Sequence, residues 1–223
     1  MGRNSNLCLI ATSILLLCAM AFSGTASASV GTVTNLSGPL FGKKPDGASR
    51  TLSVNSAVEE NDTLISEKRT YGRVKFTDGG EITLRPGTTF VVEKYFFDKN
   101  KPADDTAVFG LVKGSLRAVT GQVSKRGSPD AYKMKTFAAT IGVRGTAFDL
   151  KICDDNCPGL ANGIYFLVIE GMIEVSNKAG SRTFSAGEYG YVKDFDTKPE
   201  QIPFLSGIGF DMPPFENDIC GVR

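Results

Sequence analysis

The sequence predicts an all-β protein, folded either as a single antiparallel β-sandwich or as a solenoid-like stack of β units. Apolar and polar residues alternate along most of the chain, which is typical of strands with one buried face. Glycine and proline interrupt this alternation at spacings of roughly 8 to 12 residues, as in sandwiches and stacked β units. No stretch longer than about ten residues after the N-terminal segment shows a helical stripe. The choice between sandwich and solenoid stays open.

The clearest alternation comes just before Asp78-Gly79. This dipeptide is a strong signal for a tight hairpin, because both turn positions need positive φ. Alternation resumes after the dipeptide and stops at Pro86-Gly87, and residues 88–97 then form a β-branched and aromatic run. We therefore predict three strands in an antiparallel meander.

Two later segments share a pattern centred on a glycine. Apolar and charged residues alternate on both sides of Gly114 in residues 112–118 and of Gly171 in residues 169–175. Glycine lets the backbone turn or bulge between strands, while the alternation keeps one face of each strand in the core. The pattern predicts two strands meeting at each glycine and a stack of similar β units.

The N-terminus has the pattern of a cleavable secretory signal peptide. A basic residue, Arg3, is followed by an apolar stretch over residues 7–22 and by small residues at Ala26 and Ala28, the order that signal peptidase requires. We expect cleavage between Ala28 and Ser29, and a mature protein that is periplasmic or secreted. The alternative is an uncleaved anchor helix, because the apolar stretch is only slightly short for a membrane span. After cleavage we expect no stable membrane span.

This pattern divides the chain into three parts. Residues 1–28 form the signal peptide, residues 29–195 the all-β domain, and residues 196–223 an extended tail rich in proline and glycine. The apolar residues of the tail favour a segment that wraps around the domain over one that hangs free.

Composition argues against several functional classes. Without residues 1–28 the chain keeps 24 of its 25 Lys and Arg residues against 24 Asp and Glu. This balance gives no electrostatic indication of nucleic-acid binding. The chain has no histidine, so it lacks the commonest general base and metal ligand. We therefore expect neither enzymatic activity nor a cofactor or metal.

Three cysteines follow residue 28, and two of them are close together. We predict a disulfide between Cys153 and Cys157, because the Asp and Asn residues between them favour a tight turn in an oxidising compartment. A redox-active pair is less favoured, since the spacing is not C-x-x-C. Cys220 is then free or intermolecular, although it could instead pair with one of the other two. Asp154 and Asp155 predict a solvated turn, because the spacing of a calcium-binding EF-hand is absent.

The most distinctive stretch surrounds an arginine. Gly142 and Gly145 flank Arg144 inside an otherwise β-branched and aromatic run. The glycines allow a bulge or a close backbone approach, and a guanidinium can donate to several carbonyl groups at once. We expect Arg144 to satisfy backbone carbonyls where strands change direction. The alternative is that Arg144 binds an anionic or backbone ligand.

With this stretch, the sequence resembles the FecR-domain family of bacterial envelope proteins. The resemblance rests on residues 76–84, 111–116, 142–148, and 168–171 followed by 185–188. It spans residues 30–194 and assigns a structural or binding role to Asp78, Gly79, Gly114, Gly142, Arg144, Gly145, Thr146, Phe148, Gly171 and Gly187.

The resemblance implies an all-β periplasmic domain without a catalytic role. In the namesake signalling proteins, such a domain relays a signal from an outer-membrane receptor to a cytoplasmic anti-sigma segment. This chain has no helical segment before its apolar stretch, so we expect a module that binds a protein or envelope component and no direct anti-sigma role. A periplasmic component of a signalling system is one alternative. The other is a glycan or cell-wall binder that uses Tyr95, Phe96, Phe97 and Phe109.

Overall fold

The computed structural model describes residues 28–205 and 207–210. Residues 1–27 of the predicted signal peptide and Cys220 lie outside these residues. Within them, helical structure is limited to a 3-10 turn at Pro102–Asp104 and one turn of α-helix, α1 (Val123–Arg126). The all-β prediction is confirmed. No helix in the described ranges is long and apolar enough to cross a membrane.

Sixteen strands follow one another along the described chain. They are β1 (Ser29–Leu36), β2 (Leu40–Lys43), β3 (Ser49–Leu52), β4 (Ala57–Glu59), β5 (Thr63–Ser66), β6 (Gly72–Phe76), β7 (Glu81–Leu84), β8 (Thr89–Phe96), β9 (Thr106–Lys113), β10 (Ser115–Val119), β11 (Tyr132–Lys135), β12 (Thr140–Cys153), β13 (Gly163–Asn177), β14 (Gly180–Ser185), β15 (Tyr189–Val192) and β16 (Glu200–Ile202).

The sixteen strands form one hydrogen-bonded sheet that curls into two facing layers. The front layer has the order β3-β2-β5-β8-β9-β11, continued by the first half of β12, the second half of β13, and β14. The back layer has the order β4-β1-β6-β7-β10, continued by the second half of β12, the first half of β13, β15 and β16. The long β12–β13 hairpin therefore belongs to both layers.

The chain passes between the layers repeatedly, without completing one before starting the other. After β9 in the front layer, it enters the back layer as β10 and returns to the front as β11. This crossover makes the β9–β11 pair parallel, in contrast to the antiparallel pairing of the other described strands. The fold thus combines the facing layers of a sandwich with the coiled path of a solenoid.

Aromatic rings join the two layers across the core. Phe76 of β6 stacks on Tyr95 of β8, with 5.3 Å between ring centroids. Phe166 of β13 meets Phe184 of β14 edge-on at 4.7 Å. All four rings are buried, and burial of such a side chain contributes about 1.5–3 kcal/mol to stability. These contacts hold the front layer against the back layer.

The predicted meander is only partly formed. β6 and β7 make the expected hairpin, but positive φ was predicted for both Asp78 and Gly79, and of these two residues only Gly79 has it, at +85°. However, β8 does not pair with β7. It lies in the front layer between β5 and β9. The reason lies at the start of β8: the N–H of Thr88 donates to the hydroxyl of Ser66 at 2.9 Å, which holds the chain after Gly87 against the end of β5.

The predicted tail is partly built into the fold. Strand β16 pairs with β15, so the sheet extends past the boundary predicted at residue 195. Beyond β16, Leu205, Ile208 and Phe210 pack with Cys153 and Tyr165 in a small apolar cluster. This cluster lies on the outer face of the back layer, because Tyr165 alternates with the core residues of β13.

Candidate functional site: the bend of the β12–β13 hairpin

Two glycines lie where the β12–β13 hairpin bends from one layer into the other. Gly145 has φ +63° and Gly171 has φ +75°, and the strand register shifts between Arg144 and Ala147. A Cβ atom on Gly171 would lie 2.6 Å from the carbonyl oxygen of Gly145. The bend therefore requires glycine at position 171, both for its positive φ and for lack of space.

Thr146 ties this bend together with three hydrogen bonds. Its N–H donates to the hydroxyl of Thr120 at 2.8 Å, and its own hydroxyl donates to the carbonyl of Met172 at 2.8 Å. The N–H of Thr120 in turn donates to the carbonyl of Thr146 at 3.0 Å. Phe148, two residues further on, is fully buried in the core. Gly145, Thr146 and Phe148 thus have structural roles.

The same arrangement occurs a second time, with the layers exchanged. The N–H of Thr88 donates to the hydroxyl of Ser66 at 2.9 Å, and the hydroxyl of Thr88 donates to the carbonyl of Ser115 at 2.8 Å. Gly114, with φ +85°, lies so close that a Cβ atom on it would be 2.8 Å from the carbonyl oxygen of Gly87. The two glycine-centred segments are therefore structurally equivalent.

The sequence signal for this repeat is a short Gly-Thr-x-Phe pattern at residues 87–90 and 145–148. The phenylalanine is fully buried in both copies. The residue before the glycine differs, being Pro86 in the first copy and Arg144 in the second. Because the bend forms with proline at this position, it does not require an arginine.

Arg144 lies on the outer face of the front layer and is exposed. It alternates with Val143, which is buried in the core. The expectation that Arg144 satisfies backbone carbonyls is wrong, since it makes no hydrogen bond or ion pair with another described residue. At the bend, the Met172 carbonyl accepts from the hydroxyl of Thr146, and the Thr146 carbonyl accepts from the N–H of Thr120. The Arg144 guanidinium is thus available to a ligand.

Gly142 is required neither by the backbone nor by packing. Its φ is not in the positive region, and an added Cβ atom would have the Glu174 carbonyl oxygen, at 3.9 Å, as its nearest neighbour. Glycine inside a strand lowers stability by roughly 0.5–1 kcal/mol relative to alanine. The described structure gives no stability reason for this glycine, whose missing side chain leaves the strand surface open.

Gly142 and Arg144 line a groove of about 660 Å³ on the outer face of the front layer. Other lining residues come from the neighbouring strands: Lys133, Met172, Glu174, Ser176 and Thr183. Lys133 is paired with Asp130 at 3.2 Å, whereas Glu174, like Arg144, has no side-chain partner among the described residues. Met172 is 54% exposed. The groove, which we call the front groove, thus presents a cation, a carboxylate and an apolar side chain.

The other positions of the family pattern serve the fold. The carboxylate of Asp78 accepts the N–H of Val123 at 3.1 Å and so joins the β6–β7 hairpin to α1. Gly187, with φ +87°, forms the turn between β14 and β15. The ten positions therefore do not form one site, and Gly142 and Arg144 are the two that line the front groove.

The predicted disulfide between Cys153 and Cys157 is present. Cys153 is buried against Tyr165 and Ile208, so the disulfide borders the cluster on which the tail rests. Among the residues that the structure describes, no group of Cys, Asp and Glu side chains is arranged to hold a metal ion. Asp155 instead accepts the side-chain amide of Asn162 at 2.9 Å within the same loop.

The aromatic residues considered for glycan stacking do not share an exposed face. Tyr95 and Phe109 are core residues, and burial raises the pKa of the Tyr95 phenol. Phe97 is covered by the guanidinium of Arg126, 4.6 Å from the ring centroid. Only Phe96 among the four is well exposed, at 45%.

Asp62 is a fully buried carboxylate with three cationic or N–H donors around it. Arg50 donates to both carboxylate oxygens, at 3.0 and 2.6 Å, and Lys44 lies 3.0 Å away. Burial raises the pKa of Asp62, but the hydrogen bonds from Arg50, the Glu59 N–H and Lys44 outweigh it and hold the pKa below its usual value. No sequence motif marks this cluster, because its members come from separate strands and turns.

A model of the FecR protein family matches residues 62–174, just over half of the chain. The chain belongs to the FecR family. The matched residues run from the end of the β4–β5 turn into β13 and contain both Gly-Thr-x-Phe bends together with Gly142 and Arg144.

Two crystal structures of a candidate anti-sigma factor from Parabacteroides distasonis are similar to this FecR protein. Their sequence identities to it are 16% and 15%, and the TM-score is 0.48 for both. Each comparison covers 63% of this chain and 58% of the other, so the chain spans less than two thirds of those proteins. No curated protein sequence matches the chain.

Proposed function

We propose that this FecR protein is an exported, non-enzymatic module that binds an extended segment of an envelope protein in the front groove. One observation carries the proposal: Gly142 and Arg144 are the two positions of the family pattern that the fold itself does not use. The bend forms in the equivalent copy without an arginine, and nothing packs where a side chain at position 142 would lie.

The chemistry of the front groove suits a polypeptide. A guanidinium can donate two parallel hydrogen bonds to a carboxylate or to backbone carbonyls, and Glu174 can accept from N–H groups or pair with a cation. The flexible Met172 side chain adapts to apolar surfaces of different shape. Gly142 lets another backbone approach the strand closely. Because these residues lie on strands, they are held in fixed relative positions.

Three further observations support the parts of the proposal that concern export and the kind of partner. Strand β1 begins at Ser29, the residue after the predicted cleavage site, so cleavage would leave all sixteen strands intact. A disulfide such as Cys153–Cys157 is typical of proteins outside the cytoplasm. Membership of the FecR family favours a signalling-related partner over a substrate.

The proposal can be tested by photo-crosslinking in cells that produce the full chain. A photoreactive amino acid replaces Met172 at the front groove, and in a matched control it replaces Val54, which is 48% exposed in the β3–β4 turn. We expect one discrete crosslinked product from position 172, none from position 54, and loss of the product on Arg144→Glu or Gly142→Leu. The same products from both positions, or a product that survives both substitutions, would contradict the proposal.

A further inference from the structure

The middle of the front groove is formed by four residues on two neighbouring strands, which we call the central square. Gly142 and Arg144 on β12 lie directly opposite Glu174 and Met172 on β13, respectively. Residues two apart on a strand point to the same face of the sheet, so all four positions belong to the outer face of the front layer. One diagonal of the central square joins Arg144 to Glu174, and the other joins Gly142 to Met172.

The first diagonal carries opposite charges that do not pair with each other. Four charged side chains line the groove, and two of them, Lys133 and Asp130, form an ion pair at 3.2 Å. The other two, Arg144 and Glu174, are exposed and have no side-chain partner among the described residues. Diagonal neighbours in an antiparallel pair are about 7–8 Å apart. The groove thus presents one unpaired cation and one unpaired carboxylate, both anchored on strands.

The second diagonal leaves room for a polypeptide to cross between these two charges. At its first corner, a Cβ atom added to Gly142 would have the Glu174 carbonyl oxygen, at 3.9 Å, as its nearest neighbour. At its other corner, Met172 is 54% exposed, and a methionine side chain adapts its shape to what it contacts. A segment that runs from Arg144 to Glu174 therefore has an open surface on one side and a flexible apolar side chain on the other.

The spacing of the two charges matches that of an extended polypeptide. A strand rises about 3.2–3.4 Å per residue, so side chains two residues apart lie on one face and about 6.4–6.8 Å from each other. This is close to the distance between diagonal neighbours in a sheet. Two such side chains can face Arg144 and Glu174 together, while the residue between them points away. An acidic side chain would accept two parallel hydrogen bonds from the Arg144 guanidinium, and a basic one would pair with Glu174.

The two unpaired charges also discriminate against other segments. Two acidic residues at this spacing would place one of them against Glu174, and two basic residues would place one against Arg144. Such contacts between like charges oppose binding. An apolar segment would remove water from both charged groups without replacing its hydrogen bonds. The complementary segment is therefore one that brings one charge of each sign.

We propose that the front groove selects an extended segment in which an acidic and a basic residue stand two positions apart, with the acid on Arg144 and the base on Glu174. This inference rests on the proposed function, because it specifies the chemistry of the segment that binds in the groove. The segment can run in either direction, since the central square determines the spacing of the two contacts but not their order along the partner.

The test is a selection of random short peptides displayed on phage, with the full mature chain as the bait. A parallel selection on Gly142→Leu, which fills the open corner of the central square, identifies the peptides whose binding depends on the groove. We expect these peptides to contain an acidic and a basic residue two positions apart. Their enrichment over the library should be about fivefold, which corresponds to an exposed ion pair of about 1 kcal/mol.

Reversal of one charge should change the selected pattern. Arg144→Glu should select two basic residues at the same spacing, and Glu174→Lys should select two acidic residues. The matched control, Lys68→Glu, reverses an exposed charge outside the groove and should select the original pattern. Thermal unfolding shows whether each variant is folded like the unsubstituted chain.

Two kinds of result would overturn this inference, and they can be told apart. Groove-dependent peptides that lack the acid–base pair, or a pair that neither charge reversal changes, would refute the inference and leave the proposed function standing. If no selected peptide lost its binding on Gly142→Leu, the proposed function would fail, and this inference would fail with it.

Discussion

The hydroxyl of Thr146 donates to the carbonyl oxygen of Met172 at 2.8 Å across the bend of the β12–β13 hairpin. Thr88 and Ser115 have the same relationship, also at 2.8 Å, where the chain passes from β9 into β10. One side-chain hydroxyl thus fixes each of two equivalent points at which the chain changes layer.

Loss of this hydroxyl should weaken the fold by a similar amount in both copies. Thr88→Val leaves the buried carbonyl of Ser115 without its donor, and Thr146→Val does the same to the part-buried carbonyl of Met172. Each loss costs about 1–3 kcal/mol. The free energy of unfolding from urea titration measures the loss. Thr51→Val, at an exposed position of β3, is the control and should change stability by less than about 0.5 kcal/mol. A cost at only one of the two bends would show that they are not equivalent.

Two glycines of the family pattern should respond in opposite ways to the same substitution. Gly171→Ala places a Cβ atom against the Gly145 carbonyl at a positive φ, so we expect a loss of at least about 2 kcal/mol or failure to fold. At position 142 there is space for a Cβ atom, and alanine loses less backbone freedom on folding than glycine does. Gly142→Ala should therefore leave stability unchanged or raise it by roughly 0.5–1 kcal/mol. Urea titration of both variants checks this. A large loss from Gly142→Ala would assign that glycine to the fold.

The folded protein should lose stability in acid because the buried Asp62 carboxylate becomes protonated. Its pKa is lower in the folded protein than in the unfolded chain, so its contribution is complete above the unfolded value, about pH 4. That contribution is lost as the pH falls further, through the folded pKa. Asp62→Asn should therefore be less stable at neutral pH by about 2 kcal/mol and lose less stability between about pH 5 and pH 2. Unfolding titrations across this range check the prediction, and Asp104→Asn should retain the pH dependence of the unsubstituted protein.

The disulfide between Cys153 and Cys157 should stabilise the folded protein only modestly, because it closes a small loop. Cys153→Ser with Cys157→Ser removes a small ring, which costs roughly 2 kcal/mol or less. Because Cys153 packs against Ile208, proteolysis near residues 203–210 should also become faster. A dithiol reductant should bring the unsubstituted protein to the stability of the double variant and leave that variant unchanged. If the reductant lowered the stability of the unsubstituted protein and of the double variant equally, the effect would have to come from another cysteine.

Export can be checked at the mature N-terminus. Mass spectrometry of the protein from the periplasm or medium should give Ser29 as the first residue, because Ala26 and Ala28 meet the small-residue requirement of signal peptidase. Ala28→Leu should block cleavage and leave the longer chain in the membrane fraction. Recovery of an uncleaved native chain would favour the anchor-helix alternative.

The features that the sequence predicted are those with local causes. The Asp78-Gly79 hairpin and the strand junction at Gly114 follow from alternation and from positive φ, which neighbouring residues determine. At Gly171 the positive φ gives a bend within β13, where two separate strands were predicted. The loop between Cys153 and Cys157 is equally local. These features could be recognised without knowing the arrangement of the layers.

The features that the sequence did not predict depend on distant partners. The layer of β8 is set by the bond between Ser66 and Thr88, 22 positions apart. Arg85 and Asp149 are 64 positions apart. The sequence predicts that Arg144 donates to carbonyls at the bend, because a guanidinium can do so, but in the structure the Thr146 hydroxyl and the Thr120 N–H, which are closer, donate to them. Periodicity carries no information about which of several nearby donors reaches an acceptor.

The sharing of β12 and β13 between the layers has a consequence for how the protein opens. Neither layer can separate without breaking hydrogen bonds that also hold the other, so we expect one cooperative unfolding transition, with the amides of both strands exchanging only through global unfolding. A segment bound on one layer then stabilises the whole module by its full binding free energy, including the face on the far side.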